Sequence, residues 1–428
     1  MLRALYAWIT ALVVPLVWLR LRWRARREPL YGTAIAERFG RYRTPPTSGW
    51  VWVHAVSLGE TRAAASLVDA LRARDPGLRL LLTNGTATGR EAGAALLREG
   101  DLQLWLPWDS PGATRRFLAH HRPRLGVLME TEVWPNLQRA AAAQRVPMVL
   151  ANARFSERSM RRGALAPSLM RPAFESLALV LAQTDADAAR LRSAGARRVE
   201  TCGNLKFDMT PAPELLATGR AWRDALARRV VVASSTREGE EAELLAAWCA
   251  QPPERPLLLV VPRHPQRFDA VAALVRDAGL TLARRSAWQG GAPPRDALGA
   301  DVWLGDSMGE LPIYYACAQV ALLGGSFAPL GGQNLIEAAA CGCPVLMGPH
   351  TFNFAEAAEL AAAAGAARRC SSLREAVAVA CEPLDAEEQR AAILRCLAFA
   401  ASHRGAAQRI AKRIAALAGG EARPGPGA

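Results

Sequence analysis

The chain has 428 residues, 51% of them apolar, and a formal net charge of +14. That length supports two domains with cores of their own, the composition excludes a disordered or fibrous protein, and the charge implies an acidic partner such as a phosphate-bearing lipid, a nucleotide or nucleic acid. Eight cysteines fall without a pairing rhythm, and the close pair Cys341 and Cys343 has no histidine nearby, so a disulfide frame and a zinc site are both excluded in favour of buried thiols in a reducing compartment.

The first element is an apolar run from Ala4 to Leu19, roughly sixteen residues where about twenty are needed to span a bilayer. Arg20, Arg22, Arg24, Arg26 and Arg27 follow it, against Arg3 alone before it. A secretory signal carries its charge first and a small-residue cleavage site last, and neither is present. The positive-inside rule then keeps the body of the protein on the cytoplasmic side, held by a short signal-anchor or an interfacial helix, with Trp8, Trp18 and Trp23 at headgroup level.

From Trp50 onward, short β-rich runs alternate with alanine-rich helical stretches. The runs are Val51 to Val56, Leu78 to Thr83, Leu125 to Met129, Pro147 to Ala151 and Val199 to Cys202. The pattern breaks over Asp208 to Arg229, where Met209, Pro211 and Pro213 read as a linker, and resumes with Val230 to Ala233, Leu257 to Val261, Val302 to Leu304, Val320 to Leu323 and Pro344 to Met347. This predicts an α/β protein: a membrane anchor over 1–27, a doubly wound domain over 28–208, a linker over 209–229, a second doubly wound domain over 230–418 and a loose tail over 419–428, with a cleft between the domains. No G-x-G-x-x-G opens a strand–helix unit and no P-loop is present.

In such folds ligands bind beyond the carboxyl ends of the strands, and the distinctive residues fall there. HAVSLGE places Ser57 and Glu60 after the first run, where Glu60 is a candidate general base or a first-turn helix acid, and Ala55 to Gly59, centred on Ser57, resembles a nucleophile elbow that would need a histidine base at His350 or His403. METEVWPN presents Glu130, Glu132 and Trp134; carboxylates this close favour a site over a solvated loop. ANARFSERS offers Asn152, Arg154 and Arg158 as an anion clamp, or a helix cap at Ser156. Lys206 and Lys412 are the only lysines beside 51 arginines; a chain so biased has a reason to write a compact ammonium, and Lys206 in GNLKFD is the stronger candidate. In the second half, Ser234 to Thr236, Arg263 with His264, and Met308, Gly309 and Glu310 each follow a strand. LLGGSFAPLGGQNLIEAAACGCPVLMGPH then reads as strand, glycine-rich turn, helix and strand, with Gly324, Gly325, Gly331 and Gly332 suited to a phosphate, and Asn334 and Glu337 one turn apart on the helix, suited to a ribose. No metal-ligand spacing stands out, and Asp185 with Asp187 reads more simply as a helix N-terminus.

HAVSLGE, TNGTATGREA, LPWDSPG, ETEVWPN, NARFSERS, GNLKFD, SSTREGEE, PRHPQRF, GDSMGEL and the glycine-rich segment resemble, in order, the motifs of the Kdo transferases, the 3-deoxy-manno-octulosonic acid transferases of Gram-negative lipopolysaccharide synthesis. The resemblance implies a GT-B fold on the cytoplasmic face of the inner membrane that moves Kdo from CMP-Kdo to the lipid A precursor. By motif, Glu60 is similar to the general base of an inverting attack, and Glu130 and Lys206 to transition-state stabilisers. Arg263, His264, Met308, Gly309, Glu310, Leu311, Asn334, Leu335, Ile336 and Glu337 are similar to the CMP contacts. It implies no cofactor and no metal, since the leaving group carries one phosphate, and as partners CMP-Kdo, the lipid A precursor and inner-membrane lipids, not nucleic acid. Gln333 and Arg237 stand where the family usually has histidine, and Ser307 where it has threonine. A UDP-sugar transferase or epimerase, a lipid hydrolase using Ser57, and a non-catalytic lipid-tethering or nucleotide-sensing protein remain alternatives at this point.

Overall fold

Two seven-stranded parallel sheets carry the chain. A computed structural model describes residues 2–418 apart from Ala164, Ala227, Gly290 and Leu384; the tail over 419–428 lies outside the described residues. The first sheet contains β1 (Val51–His54), β2 (Leu80–Asn84), β3 (Leu102–Trp105), β4 (Leu125–Met129), β5 (Met148–Ala153), β6 (Leu179–Ala182) and β7 (Val199–Thr201), in the order β3-β2-β1-β4-β5-β6-β7. The second contains β8 (Val230–Thr236), β9 (Leu257–Pro262), β10 (Leu282–Arg284), β11 (Val302–Leu304), β12 (Val320–Leu323), β13 (Val345–Met347) and β14 (Ala367–Arg369), in the order β10-β11-β9-β8-β12-β13-β14. Most strands are buried on both faces, as β1 and β8 are along nearly their whole length, which is why they read as continuous Val/Leu runs with no polar alternation.

Each sheet reverses its strand order once. In the first the reversal lies between β1 and β4, which pair in parallel from Val51 opposite Leu125 to His54 opposite Leu128. In the second it lies between β8 and β12, paired from Val231 opposite Val320 to Ser234 opposite Leu323. These switch points are where an open α/β sheet leaves a crevice at the carboxyl ends of its strands.

The chain divides into two compact units, Met1–Asp208 with Arg404–Ala428, and Met209–His403. This corrects two expectations. Residues 209–229 are not a free linker: the helix Pro213–Ala225 belongs to the second unit and packs on Leu311–Cys317, because Gly219 allows contact with the Ile313 carbonyl where a Cβ would lie 2.2 Å away. Trp222 on that helix meets the rings of Trp288, Trp303 and Tyr314. The second domain also stops short of 418: the helix Ala406–Ala418 buries Ala407, Ile410, Ala411 and Ile414 in the first unit's core beside Ala64, Leu67 and Leu71 of the helix Leu58–Arg74.

At the N-terminus, two helices, Leu2–Leu12 and Val14–Ala25, meet at a 45° bend, and no single helix among the described residues is long and apolar enough to cross a membrane. The first helix is pinned to its unit by polar contacts. Tyr6 Oη donates to Asp109 (2.8 Å), Trp108 Nε1 donates to the Thr10 carbonyl (2.8 Å), and Asn136 Nδ2 donates to Thr10 Oγ1 (3.2 Å). Leu5, Trp8, Ile9, Leu12, Leu16, Leu19 and Trp23 remain exposed.

Candidate active site

Glu60 lies in the first turn of the helix that follows β1. Ser57 caps that helix, accepting from Glu60 N (3.4 Å) and donating its hydroxyl to Glu60 Oε1 (3.1 Å), while Val56 N donates to Oε2 (2.9 Å). This is a variant of the capping box, in which the reciprocal bond to the carboxylate comes from the backbone N–H one residue before the cap. Both partners of Ser57 Oγ, one backbone N–H and one carboxylate oxygen, belong to Glu60 and neither is a histidine, so the nucleophile-elbow reading loses its base. The box fixes the carboxylate in place while leaving lone pairs on both oxygens. Burial, with the Glu130 carboxylate nearby, raises the Glu60 pKa against the pull of the Val56 N–H, the Ser57 hydroxyl and Lys206.

Glu130 enters from the end of β4, across the switch point from β1. Its backbone is left-handed at φ 55°, as is that of Asn152 at the end of β5 at φ 52°. Non-glycine residues held there cost roughly 1–2 kcal/mol each and persist where the surroundings over-determine them. Here Glu130 N donates to the Ala151 carbonyl (3.0 Å) and Arg154 N to the Glu130 carbonyl (3.2 Å). Asn152, buried, accepts from Leu205 N (3.0 Å) and so holds the turn Leu205–Asp208 that carries Lys206. Asn204 accepts from Lys206 N (3.0 Å), and Asp208 closes the turn by accepting from Gly405 N and Ala407 N at the start of the C-terminal helix. So placed, Lys206 Nζ lies 3.9 Å from Glu130 Oε1.

Glu132 joins the same group. Burial, then the nearby Glu60 and Glu130 carboxylates, raise its pKa to about 7; the Trp134 indole N–H, close by but short of hydrogen-bond geometry, pulls the other way. Three carboxylates and one ammonium, drawn from three separated stretches of sequence, thus meet at one switch point. Nearby, Arg158 and Arg161 line a 740 Å³ cavity with Ser156, Glu157 and Leu165, whereas Ser156 also caps its helix by accepting from Ser159 N (3.2 Å). Arg154 is exposed and does not line that cavity. Asp185 and Asp187 are a helix N-terminus as read, with Thr184 as cap accepting from Asp187 N.

In the second unit the residues matched to CMP contacts follow the carboxyl ends of β9, β11 and β12. Arg263 N donates to the Thr236 carbonyl (3.0 Å), joining the loops after β8 and β9. Burial and the charges of Arg237 and Arg263 lower the pKa of His264. Met308 is exposed and Gly309, at φ 83°, has open space around it. The Glu310 carboxylate is already engaged by Arg285 (2.7 Å), Ser307 and Tyr314 (3.1 Å), with the Arg285 guanidinium over the Trp222 and Trp288 rings; this stretch, through Leu311, can reach a ligand chiefly by its backbone and Met308. Asn334 caps the helix Leu335–Ala340, accepting from Ile336 N (3.2 Å), and the side chains of Leu335 and Ile336 point into the core. Glu337 lies near Tyr315 and Cys341 and raises the pKa of both, second to burial.

The glycine-rich turn differs from its expected role. Gly324 N donates to the Ser234 carbonyl (2.8 Å), and Gly325 N to the buried Glu240 carboxylate (2.7 Å). An internal carboxylate therefore fills the position that the sequence reading gave to a phosphate at this first glycine pair, and Gly324 serves close strand packing, since a Cβ there would lie 2.4 Å from the Ser235 carbonyl. Sequence reasoning missed Glu240 because its partners are 85 residues away.

The fold is shared with solved enzymes. A glycosyltransferase from Rickettsia africae superposes with a TM-score of 0.58 at 11% identity, over 87% of this chain and 100% of that one. A UDP-GlcNAc 2-epimerase from Neisseria meningitidis gives 0.54 at 15% identity, over 88% of this chain and 100% of the other. The family model described as 3-deoxy-D-manno-octulosonic-acid transferase (kdotransferase) matches residues 33–209. Together these define the class, a GT-B-like glycosyltransferase. A 3-deoxy-D-manno-octulosonic acid transferase from Bordetella pertussis is 50% identical, over 95% of this chain and 97% of the relative. The corresponding protein from Haemophilus influenzae is 34% identical, over 83% of this chain and 84% of its own. The chain belongs to the 3-deoxy-D-manno-octulosonic acid (Kdo) transferase family.

Proposed function

We propose that the protein transfers Kdo from CMP-Kdo to the lipid A precursor of lipopolysaccharide, with inversion at the anomeric carbon and Glu60 as general base. The observation that carries this reading is the Glu60 carboxylate: fixed by a capping box at the β1/β4 switch point, with its pKa raised by burial and Glu130. Such a group is a stronger base than a solvated carboxylate. The acceptor hydroxyl gives its proton to Glu60 as its oxygen forms the bond to the anomeric carbon; the bond from that carbon to the phosphate oxygen breaks, and CMP leaves with the electron pair. Lys206, held by Glu130, supplies positive charge to the developing negative charge, and Arg263, His264, the backbone of Met308 to Leu311 and the Asn334 to Glu337 turn hold the nucleotide. A leaving group with one phosphate needs less neutralisation than a diphosphate, so no metal ion is assigned a step.

The exposed face Leu5, Trp8, Ile9, Leu12, Leu16 and Leu19, with the arginines that follow it, supports association with the anionic inner leaflet. The contacts that pin Tyr6 and Thr10 to the first unit favour a helix lying in the interface over one that spans.

The test is mass-spectrometric transfer with CMP-Kdo and tetra-acylated lipid A precursor, run beside Glu60→Gln and repeated with a chelator. Product from the wild type alone, its rate unchanged by the chelator, is the expected result. Equal product from Glu60→Gln would remove the base assignment, and no product from either would remove the reaction.

A further inference from the structure

Arg237 and Gln333 are remote in sequence and adjacent in the fold. Arg237 follows β8 and Gln333 lies between β12 and the next helix, so they come from the two strands that flank the switch point of the second sheet. Glu240 ties their loops together: its buried carboxylate accepts from Gly325 N (2.7 Å), Ala328 N (3.4 Å) and Arg237 N (3.0 Å). As a result, a Cβ placed on Gly325 would lie 3.3 Å from Gln333 Nε2 and 3.7 Å from Arg237 Cγ.

The charge there is uncompensated within its own loop. Glu238 and Glu241 both pair with Arg267 (3.5 and 3.3 Å), and Glu240 is taken up by backbone N–H groups. Both side chains are half-buried, and Arg263 and His264 stand on the adjoining loop. After burial, the Arg237 charge is the next cause that lowers the pKa of His264, a residue matched to the nucleotide. A guanidinium fork near an amide N–H at a strand-end crevice, its neighbouring carboxylates engaged elsewhere, suits a ligand oxyanion.

We propose that Arg237 and Gln333 form an oxyanion subsite for the donor, gripping either its phosphate or the carboxylate of its sugar. The inference rests on the CMP-sugar reading above. It assigns binding to a guanidinium and an amide.

The experiment titrates CMP, cytidine and free Kdo into the full-length protein and its Arg237→Met, Arg237→Lys and Gln333→Leu variants by calorimetry. Arg237→Met is expected to weaken one of the two anions about 10- to 100-fold, the size of a lost charge-assisted pair, and to leave cytidine within about twofold. Gln333→Leu weakens the same anion less, and Arg237→Lys falls between wild type and methionine. Loss of CMP alone identifies the phosphate; loss of Kdo alone identifies the carboxylate. Equal loss of CMP and cytidine would mean a merely structural role, and unchanged affinity for both anions would leave no subsite; either overturns the proposal. If the wild type bound no CMP, the donor reading would fall, and pyrophosphate titrated into the same variants would still decide whether the pair holds an oxyanion.

Discussion

Replacing Glu132 by glutamine should stabilise the first unit, and only above a defined pH. Burial among apolar neighbours, with the Glu60 and Glu130 carboxylates nearby, raises Glu132 from its ordinary 4.5 to about 7. Between those two pH values the folded protein keeps a proton that the unfolded chain has released. The folded state therefore binds more protons there, so this group's contribution to stability falls as pH rises, and is fully lost above pH 7. A rise from 4.5 to about 7, at about 1.4 kcal/mol per pH unit, corresponds to about 3 kcal/mol. Glutamine is neutral throughout and nearly isosteric, so Glu132→Gln should match wild type near the ordinary carboxylate pKa and exceed it by about 3 kcal/mol at alkaline pH. Hydrogen exchange read in peptides covering β1 and β4, from acid to alkaline pH, confines the measurement to the first unit. A stability difference that is constant with pH, or that favours wild type on the alkaline side, would refute the electrostatic reasoning. The expected result would mean that the fold gives up stability to keep an ionisable group beside the base.

Glu60→Gln should lower kcat by about 100- to 10,000-fold while CMP affinity stays within about twofold, and the wild-type rate should fall on the acid side with a midpoint above that of an ordinary carboxylate, because the raised pKa must be exceeded before the base is ionised. Lys206→Arg should not rescue Lys206→Ala in the transfer assay, since a fork 3.9 Å from Glu130 takes a bidentate geometry that a point charge does not; full activity of the arginine variant would contradict the assigned role. Asp208→Ala removes two N-cap bonds from the helix Ala406–Ala418 and should cost about 2 kcal/mol, visible as faster hydrogen exchange in that helix before any other. Trp8→Ser with Leu12→Ser should reduce co-sedimentation with anionic vesicles at least about tenfold, from about 1.5–3 kcal/mol per apolar side chain; unchanged binding would show that another surface meets the membrane.

The class of fold, and the strand ends at which chemistry collects, were legible in the order of residues alone. Buried parallel strands announce themselves as Val/Leu runs, and HAVSLGE or METEVWPN can be assigned to the turns after them because the run stops where polar residues begin. The strands Leu102–Trp105 and Leu179–Ala182 were not legible in this way: the first is a half-exposed edge of four residues, and the second sits in an apolar stretch that reads equally as helix. Capping was legible where it is local, as in Ser57 with Glu60 and Thr184 with Asp187, because the partners are three residues apart.

Properties that depend on distant residues became visible with the folded chain. Pro213 and its neighbours look like a linker until Trp222 finds an aromatic cluster from three other elements. The helix Ala406–Ala418 follows the second unit in sequence yet completes the first unit's core, since its apolar face has the shape of that core and no local signal names its partner. The first glycine pair resembles a phosphate cradle because glycine marks close approach without saying of what, and Glu240 turned out to be the anion. The raised pKa values of Glu60 and Glu132 have the same origin: carboxylates more than seventy residues apart in the chain become neighbours when β1 and β4 pair, and burial turns that adjacency into proton affinity.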